Sequence, residues 1–396
     1  MRDYYFDQDT FVIENYNTKK TFANFLPGIA GKMGIPLWVF YVNRAQGISG
    51  FGLQDKNHPI MSFTPANKAY ETVAFDGFRT FIKKGDEVYE PFKTDSPYPH
   101  SMRINASSFT IEETNTDWHI TVRITYFGLV EAPLAGLVRS VELINLTDKT
   151  LALELLDGLA EILPAGIQNE AFKSVSNVLA SWIDVNHFDQ QLAFFRLRGS
   201  TGDSSEVTQV KEGNFYVAFD TEGRITPLVD KHLVFGQNTA KTTPSYFVSH
   251  PLTSITKEPQ IFANKIPCAF IPKTLHLKAQ ESYQLFAMSG HTQSIDVLTG
   301  FVDTYADVSV MKEKQQRAQV IIDELLEDVS TKTAQPIFDT YVKQNYLDNI
   351  LRGGYPLKLG PSVFHIYSRR HGDLERDYNF FSLAPEYFSQ GNGNFS

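Results

Sequence analysis

A two-residue period runs through most of this chain, and it leaves few folds open. In "WHITVRITYF", Trp118, Ile120, Val122, Ile124 and Tyr126 alternate with polar neighbours, the pattern of a strand with one face turned to a core. The run follows "SSFTIEETNTD", so Asn115 to Asp117 predicts a hairpin turn. "SVELINLTDKTLALELL" repeats the arrangement with Thr147 to Lys149 as the connection, "NFYVAFDTEGRITPLV" does so around Glu222 and Gly223, and "TLHLKAQESYQLFAMSG" does so a fourth time. Long antiparallel hairpins with no helical period between them, from residue 5 to residue 290, imply a large β-sandwich.

The period then changes. Between Asp307 and Ser330, Met311, Ala318, Ile321, Ile322, Leu325, Leu326 and Val329 recur at helical spacing among charged residues, which predicts an amphipathic helix. A second helix is expected to start at Pro336, a good first-turn residue, and to run through "IFDTYVKQNYLDNIL" to Gly353 and Gly354. Beyond them the chain reads as aromatic, Arg-rich and irregular. The expected organisation is a sandwich over 1–300, a helical linker over 301–350 and a separate segment over 351–396.

Composition narrows the function. With 36 basic and 45 acidic residues in 396, the chain has no concentrated positive charge for nucleic acid, and a neutral or phosphorylated small ligand fits better. Its one cysteine, Cys268, cannot form a disulfide within the chain, and the N-terminus has no basic region followed by an apolar core. No apolar run approaches the roughly 20 residues that span a bilayer. A soluble protein of the reducing cytoplasm is expected, with no membrane partner, and the glycosylation sequons at Asn105 and Asn145 read as chance.

Three stretches carry candidate chemistry. "YSRRHGDLERDYN" interleaves Arg369, Arg370 and Arg376 with Asp373, Glu375 and Asp377, flanked by His371 and Asn379. Paired carboxylates, guanidiniums and amides suit a sugar subsite, because each hydroxyl is both donor and acceptor; the same composition also suits a surface ion-pair network. "SQGNGN" presents Gln390, Asn392 and Asn394 beside two glycines, either to read hydroxyls or as an ordinary turn. "GIPLWVFYVNRAQGISGFG" is either a rim loop reaching another domain or the bulged hairpin of a sandwich. No cofactor is expected. His365 and His371 have no metal-ligand spacing, and among Asp373, Glu375, Asp377 and Glu386 no catalytic acid is singled out.

The tail "LDNILRGGYPLKLGPSVFHIYSRRHGDLERDYNFFSLAPEYFSQGNGNF" resembles the start of the catalytic domain of 1,2-β-oligoglucan phosphorylases, relatives of cellobiose phosphorylase in glycoside hydrolase family 94. "GIPLWVFYVNRAQGISGFGLQDKNHPIMSFTPANKAY" and "LVRSVELINLTDKTLALELLDGLAEILP" resemble their N-terminal region, as does the helical linker, so the resemblance runs the length of the chain. One departure is Ala45, where the family pattern leads one to expect glycine.

The resemblance implies a mainly β fold, a large antiparallel β-supersandwich of the galactose mutarotase-like kind, followed by linker helices and the truncated start of an (α/α)6 barrel. It implies inverting phosphorolysis of a β-1,2-glucooligosaccharide by inorganic phosphate in the complete enzyme, this chain being an N-terminal portion without the general acid or the phosphate site. Arg352, Asp373, Glu375, Arg376, Asp377, Asn379, Gln390, Asn392 and Asn394 are the residues expected to face sugar. The alternatives are a non-catalytic carbohydrate-binding or assembly module, and one half of a split enzyme whose complementing chain carries the rest of the barrel. Absent barrel helices would leave an apolar patch near Phe380, Phe381, Tyr387 and Phe388.

Overall fold

The computed structural model describes residues 3–26, 37–53, 56–199, 209–350, 355–359 and 362–366. The alternation is realised as antiparallel sheet. The largest sheet has 11 strands, running from Tyr4–Asp7 at one edge through Ser108–Asn115, Ile120–Gly128, Gly136–Asn145, Ser282–Thr292 and Gly213–Asp220 to Ile183–Asn186 at the other. Two four-stranded sheets accompany it: one contains Leu37–Val42 and Ile48–Leu53, the other Ala269–Leu277, Leu151–Leu159 and Phe78–Lys84. Their inward faces share one core, in which Ile111, Val122, Val141 and Leu285 of the large sheet meet Phe51, Ile82, Leu155 and Ile271 of the smaller ones. The chain is therefore mainly β, with a sandwich core between opposed sheets.

Several strands are buried on both faces, which a single alternation does not require. In Gly213–Asp220, Tyr216 and Ala218 enter the sandwich core, while Phe215, Val217 and Phe219 join a second cluster with Leu298, Phe301 and Met311. The helices Ile295–Tyr305 and Val308–Leu326 cover the outer face there. Asp307 caps the second of them, its Oδ1 accepting from the Ser309 and Val310 amides at 2.8 and 3.2 Å. The helix Pro336–Ile350 follows, with Ile337, Phe338 and Tyr341 exposed. Among the described residues no helix is long and apolar enough to cross a membrane.

Three expectations are corrected. Only two of the four patterned pairs are hairpins: Ser108–Asn115 with Ile120–Gly128, and Gly213–Asp220 with Gly223–Ile225. Gly136–Asn145 instead pairs with Ser282–Thr292, and Leu151–Leu159 pairs with Ala269–Leu277, so both short connections cross from one sheet to the other, side by side. Asn145 ties the two crossings together. Fully buried, it donates from Nδ2 to the carbonyls of Lys149, Leu277 and Lys278 at 2.7, 3.1 and 2.8 Å. Second, helices do interrupt the strands, at Ala66–Asp76 and Asn169–Ala180 and in short turns between His232 and Ile255. Third, Tyr355–Leu359 and Ser362–Ile366 form a two-stranded hairpin where irregular chain was expected.

The glycine-rich stretch takes the hairpin alternative, with a register shift between Phe40 and Tyr41. Asn43, Gln46 and Ser49 are buried, and Asn43 holds the backbone of Tyr16, Lys20 and Phe22. At its turn Ala45 has φ 47° and Gly47 φ 83°, both in the left-handed region that glycine adopts without steric cost. A Cβ on Gly47 would also overlap the Phe109 ring.

Candidate functional site

All nine residues expected to face sugar, Arg352, Asp373, Glu375, Arg376, Asp377, Asn379, Gln390, Asn392 and Asn394, lie outside the described residues, as do Glu386 and the aromatic residues from Phe380 to Phe388. What the structure offers lies within the sandwich.

The most concentrated ionic group is sealed from solvent. Arg139 and Asp157, 1% and 0% exposed at their side chains, face each other across the core. Arg139 donates to both Asp157 oxygens at 3.2 and 2.7 Å, to Gln46 Oε1 at 2.7 Å, to Thr80 Oγ1 at 3.1 Å and to the Tyr126 hydroxyl. Burial works against its charge, but Asp157 and the surrounding acceptors keep its pKa above the ordinary arginine value. With no access for a ligand, this network is structural.

An accessible polar set gathers at one end of the large sheet. A cavity of about 300 Å³ is lined by Asn57, His58, Gln168, Glu212, Asn214 and His291 on its polar side and by Leu53, Pro59, Pro164 and Ile167 on its apolar side. The strand register places its centre: Asn214 lies directly opposite His291, and the pair two residues further in is Tyr216 and Ser289. Opposed residues share a face, so the cavity's polar pair continues toward the Arg139 network. Asn214, buried, donates from Nδ2 to the carbonyls of Leu163 and Pro59 at 2.8 and 3.3 Å. Its Oδ1 accepts from His291 Nδ1 at 3.0 Å. The far ring nitrogen, Nε2, is 3.6 Å from Glu212 Oε2. Imidazole, carboxylate and amides can bind a polyhydroxylated ligand and exchange a proton with it.

A second, wider groove of about 1000 Å³ runs past Tyr89, Tyr98 and Trp118. Its aromatic surface is largely engaged: the Lys84 ammonium sits 4.5 Å from the Trp118 ring centroid, and the Tyr98 hydroxyl donates to Asp117 at 2.8 Å. Beneath it, fully buried Glu113 accepts from the Tyr89 hydroxyl at 2.6 Å and from the Phe92 amide at 3.0 Å. Burial pushes its carboxyl up to about 7, and burial lowers the pKa of His100, 4.0 Å away. A third opening, of about 500 Å³, is flanked by Lys231 and Lys241. Both pair with Glu161, at 2.6 and 3.0 Å, and Lys241 also pairs with Asp76, so their charge is already matched.

Sequence reasoning found none of the cavity residues. They come from four separate stretches, each with one or two ordinary polar residues at a strand end or loop. The available signal is weak: Asn214 lies near the start of one strand and His291 near the end of another.

No family model matches this chain, and no curated protein matches it. Solved structures similar to it include a family GH92 α-mannosidase from Bacteroides thetaiotaomicron, at 10% identity over 86% of this chain and 42% of that one, with a TM-score of 0.40. Another is a protein described as a kojibiose phosphorylase from the human microbiome, at 8% identity over 96% of this chain and 35% of that one, TM-score 0.27. A third is a galactose mutarotase-related enzyme from Lactobacillus acidophilus, at 9% identity over 68% of this chain and 98% of that one, TM-score 0.33. The chain spans less than half the length of the first two. Likenesses this distant transfer no activity, and the antiparallel architecture stands on the chain's own strand pairing.

Proposed function

We propose that this chain is the β-sandwich and linker portion of a carbohydrate-active enzyme, an inverting glycoside phosphorylase acting in the cytoplasm on β-1,2-glucooligosaccharides and inorganic phosphate. The sequence resemblance supports this reading, and one structural observation carries it further. Where the chain departs from the family pattern, Ala45 takes φ 47°, the conformation for which glycine is the default residue. A glycine position in the pattern thus coincides with a turn of positive φ, which alanine occupies here.

In the complete enzyme an acid protonates the glycosidic oxygen while phosphate attacks the anomeric carbon from the opposite face, releasing α-glucose 1-phosphate. Phosphate takes the place of the activated water of an inverting hydrolase. Being already anionic, it needs cationic and hydrogen-bonding groups to hold it in line rather than a general base. Arg352, Asp373, Glu375, Arg376, Asp377, Asn379, Gln390, Asn392 and Asn394 would contribute one wall of the sugar site, and this chain alone would be inactive.

The test starts from the native polypeptide, captured from its source and weighed intact, then assayed for phosphate-dependent release of α-glucose 1-phosphate from β-1,2-linked glucose oligomers. Activity that requires phosphate, in a protein heavier than 44.8 kDa or in this chain supplemented with one carrying the remaining barrel, is the expected result. Sugar release that proceeds equally without phosphate, or no release in a longer native protein, would overturn the reading.

A further inference from the structure

We infer that Glu113 is a proton-operated fastening for the segment from Tyr89 to Tyr98, and that this segment, one wall of the wide groove, is held firmly when the carboxyl is protonated and loosened when it ionises. The segment brings Lys93, Asp95, Ser96, Pro97 and Tyr98 to the groove lining. One side chain of the large sheet holds it from behind. Glu113 accepts from the Tyr89 hydroxyl at 2.6 Å, from the Phe92 amide at 3.0 Å and from the Ser96 hydroxyl, so three points of a short strap meet on a single carboxyl. Between them Phe92, its ring fully buried, has φ 65°, a costly conformation for a bulky residue. The strap therefore holds strain that its release would relieve.

No cation compensates this carboxyl. Glu113 is 0% exposed, and among the described residues the one basic group within 4.0 Å is His100. The backbone fixes the form of that imidazole. Its Nδ1 faces the Tyr98 carbonyl at 2.8 Å, which can only accept, and its Nε2 receives the Asn17 amide at 3.4 Å, which can only donate. His100 is thus neutral, with its proton on Nδ1, and burial lowers its pKa. The other titratable groups facing Glu113 are tyrosines: burial raises Tyr16 and Tyr89, and the hydrogen bond to Asp117 raises Tyr98. Glu90 is matched by Arg79 at 2.6 and 2.9 Å, while Lys93 and Asp95 are exposed.

A buried charge without a counter-ion is costly, and the three donors do not offset burial: the carboxyl titrates at about 7 rather than 4.5. Opening the strap lets water reach Glu113, which then ionises in the ordinary range. Below about pH 4.5 both states hold the proton. Between there and about 7 only the open state releases it, so each pH unit favours opening by about tenfold; above 7 both are ionised and the gain stops at roughly 300-fold. The groove wall is therefore firmest at acid pH and most readily opened at neutral pH and above.

The experiment is amide hydrogen exchange on this chain from about pH 5 to about pH 8, read by NMR at the Phe92 amide, with the intrinsic acceleration of exchange by base divided out. The series is repeated in low urea, which separates local from global opening. Protection of Phe92 is expected to fall by roughly 70-fold across this range, to level off above neutrality and to depend little on urea. Glu113→Gln keeps an acceptor for the Phe92 amide and a donor for Tyr89, and should hold the strap equally at every pH. Protection of Phe92 that is independent of pH, or a step that persists in Glu113→Gln, would overturn the inference. So would a urea dependence as steep as that of the amides in Gly136–Asn145, at the centre of the large sheet, because opening would then be global. Loosening on acidification would assign the response to His100 and overturn it as well. If Glu113→Gln fails to fold, the parent's pH and urea profiles decide alone. No sugar or phosphate enters the measurement, so its outcome and the fate of the phosphorylase reading are separable.

Discussion

Removal of Asp157 should unfold a large share of the sandwich's stability. Its carboxylate takes two hydrogen bonds from Arg139, at 2.7 and 3.2 Å, and one from Thr80 at 2.6 Å, in a site with 0% exposure. In Asp157→Ala the guanidinium stays buried without its counter-ion, which typically costs about 3–5 kcal/mol. Against a typical total of about 5–15 kcal/mol this is roughly a third or more. The opposite face of the guanidinium stacks within 4.9 Å of the Phe78 ring centroid, so it cannot swing to water without opening the core. Urea unfolding followed by tryptophan fluorescence on the parent, Asp157→Ala, Arg139→Met and the double variant measures the pair. We expect each single variant to lose about 3–5 kcal/mol and the double to lose clearly less than their sum, with a coupling of about 2 kcal/mol or more. Recovery will be partial, because Gln46, Thr80 and Tyr126 each lose a partner when Arg139 goes. If Asp157→Ala costs under about 1 kcal/mol, or the two single effects simply add, the network does not bear on stability as argued.

Glu113 makes stability depend on pH. Its carboxyl titrates near 7 in the folded chain against 4.5 as reference, so between these values the folded state holds a proton that the unfolded state has released. Stability should therefore fall as pH rises through this window and level off above it, by an amount on the order of 3 kcal/mol; Glu113→Gln should flatten the profile of urea midpoints between pH 5 and 8, and an unchanged slope would contradict the assignment. Gly47→Ala and Gly85→Ala separate strain from crowding. Both positions have positive φ, 83° and 61°, but only at Gly47 would a Cβ meet a ring, while nothing lies within 4 Å at Gly85; thermal unfolding should show about 1 kcal/mol lost at Gly85 and about 2–4 at Gly47, and equal losses would mean that the Phe109 ring yields.

Particular residues show how far the sequence could be read. The strand through Trp118 to Tyr126 and the turn after Asn115 are legible because alternation and turn chemistry are local. The helix from Asp307 is legible for the same reason, since its cap and its apolar stripe lie within one short segment. The crossings at Thr147 to Lys149 and at Lys278 to Glu281 were not legible. A short polar connection between two alternating runs looks the same whether the second strand folds back beside the first or leaves for the opposite sheet. The difference is made by partners far along the chain, with Gly136–Asn145 recruiting Ser282–Thr292 and Leu151–Leu159 recruiting Ala269–Leu277. Asn145 looked like an accidental sequon, yet its side chain is a tie between those crossings.

The candidate site divides along the same line. The tail motif was conspicuous in sequence because charged, amide and aromatic residues cluster there, whereas the cavity was invisible because its residues meet only after folding. By itself, then, the sequence determined the β class, the shift to helix after residue 300 and a net acidic charge. These are properties of local period and of composition. Tertiary structure alone decided which strands share a sheet, that Arg139 and Asp157 neutralise each other in the core, and that Asn214, Glu212 and His291 converge on one cavity. Each of those outcomes depends on contacts between residues distant in the chain, whose energies no local pattern carries.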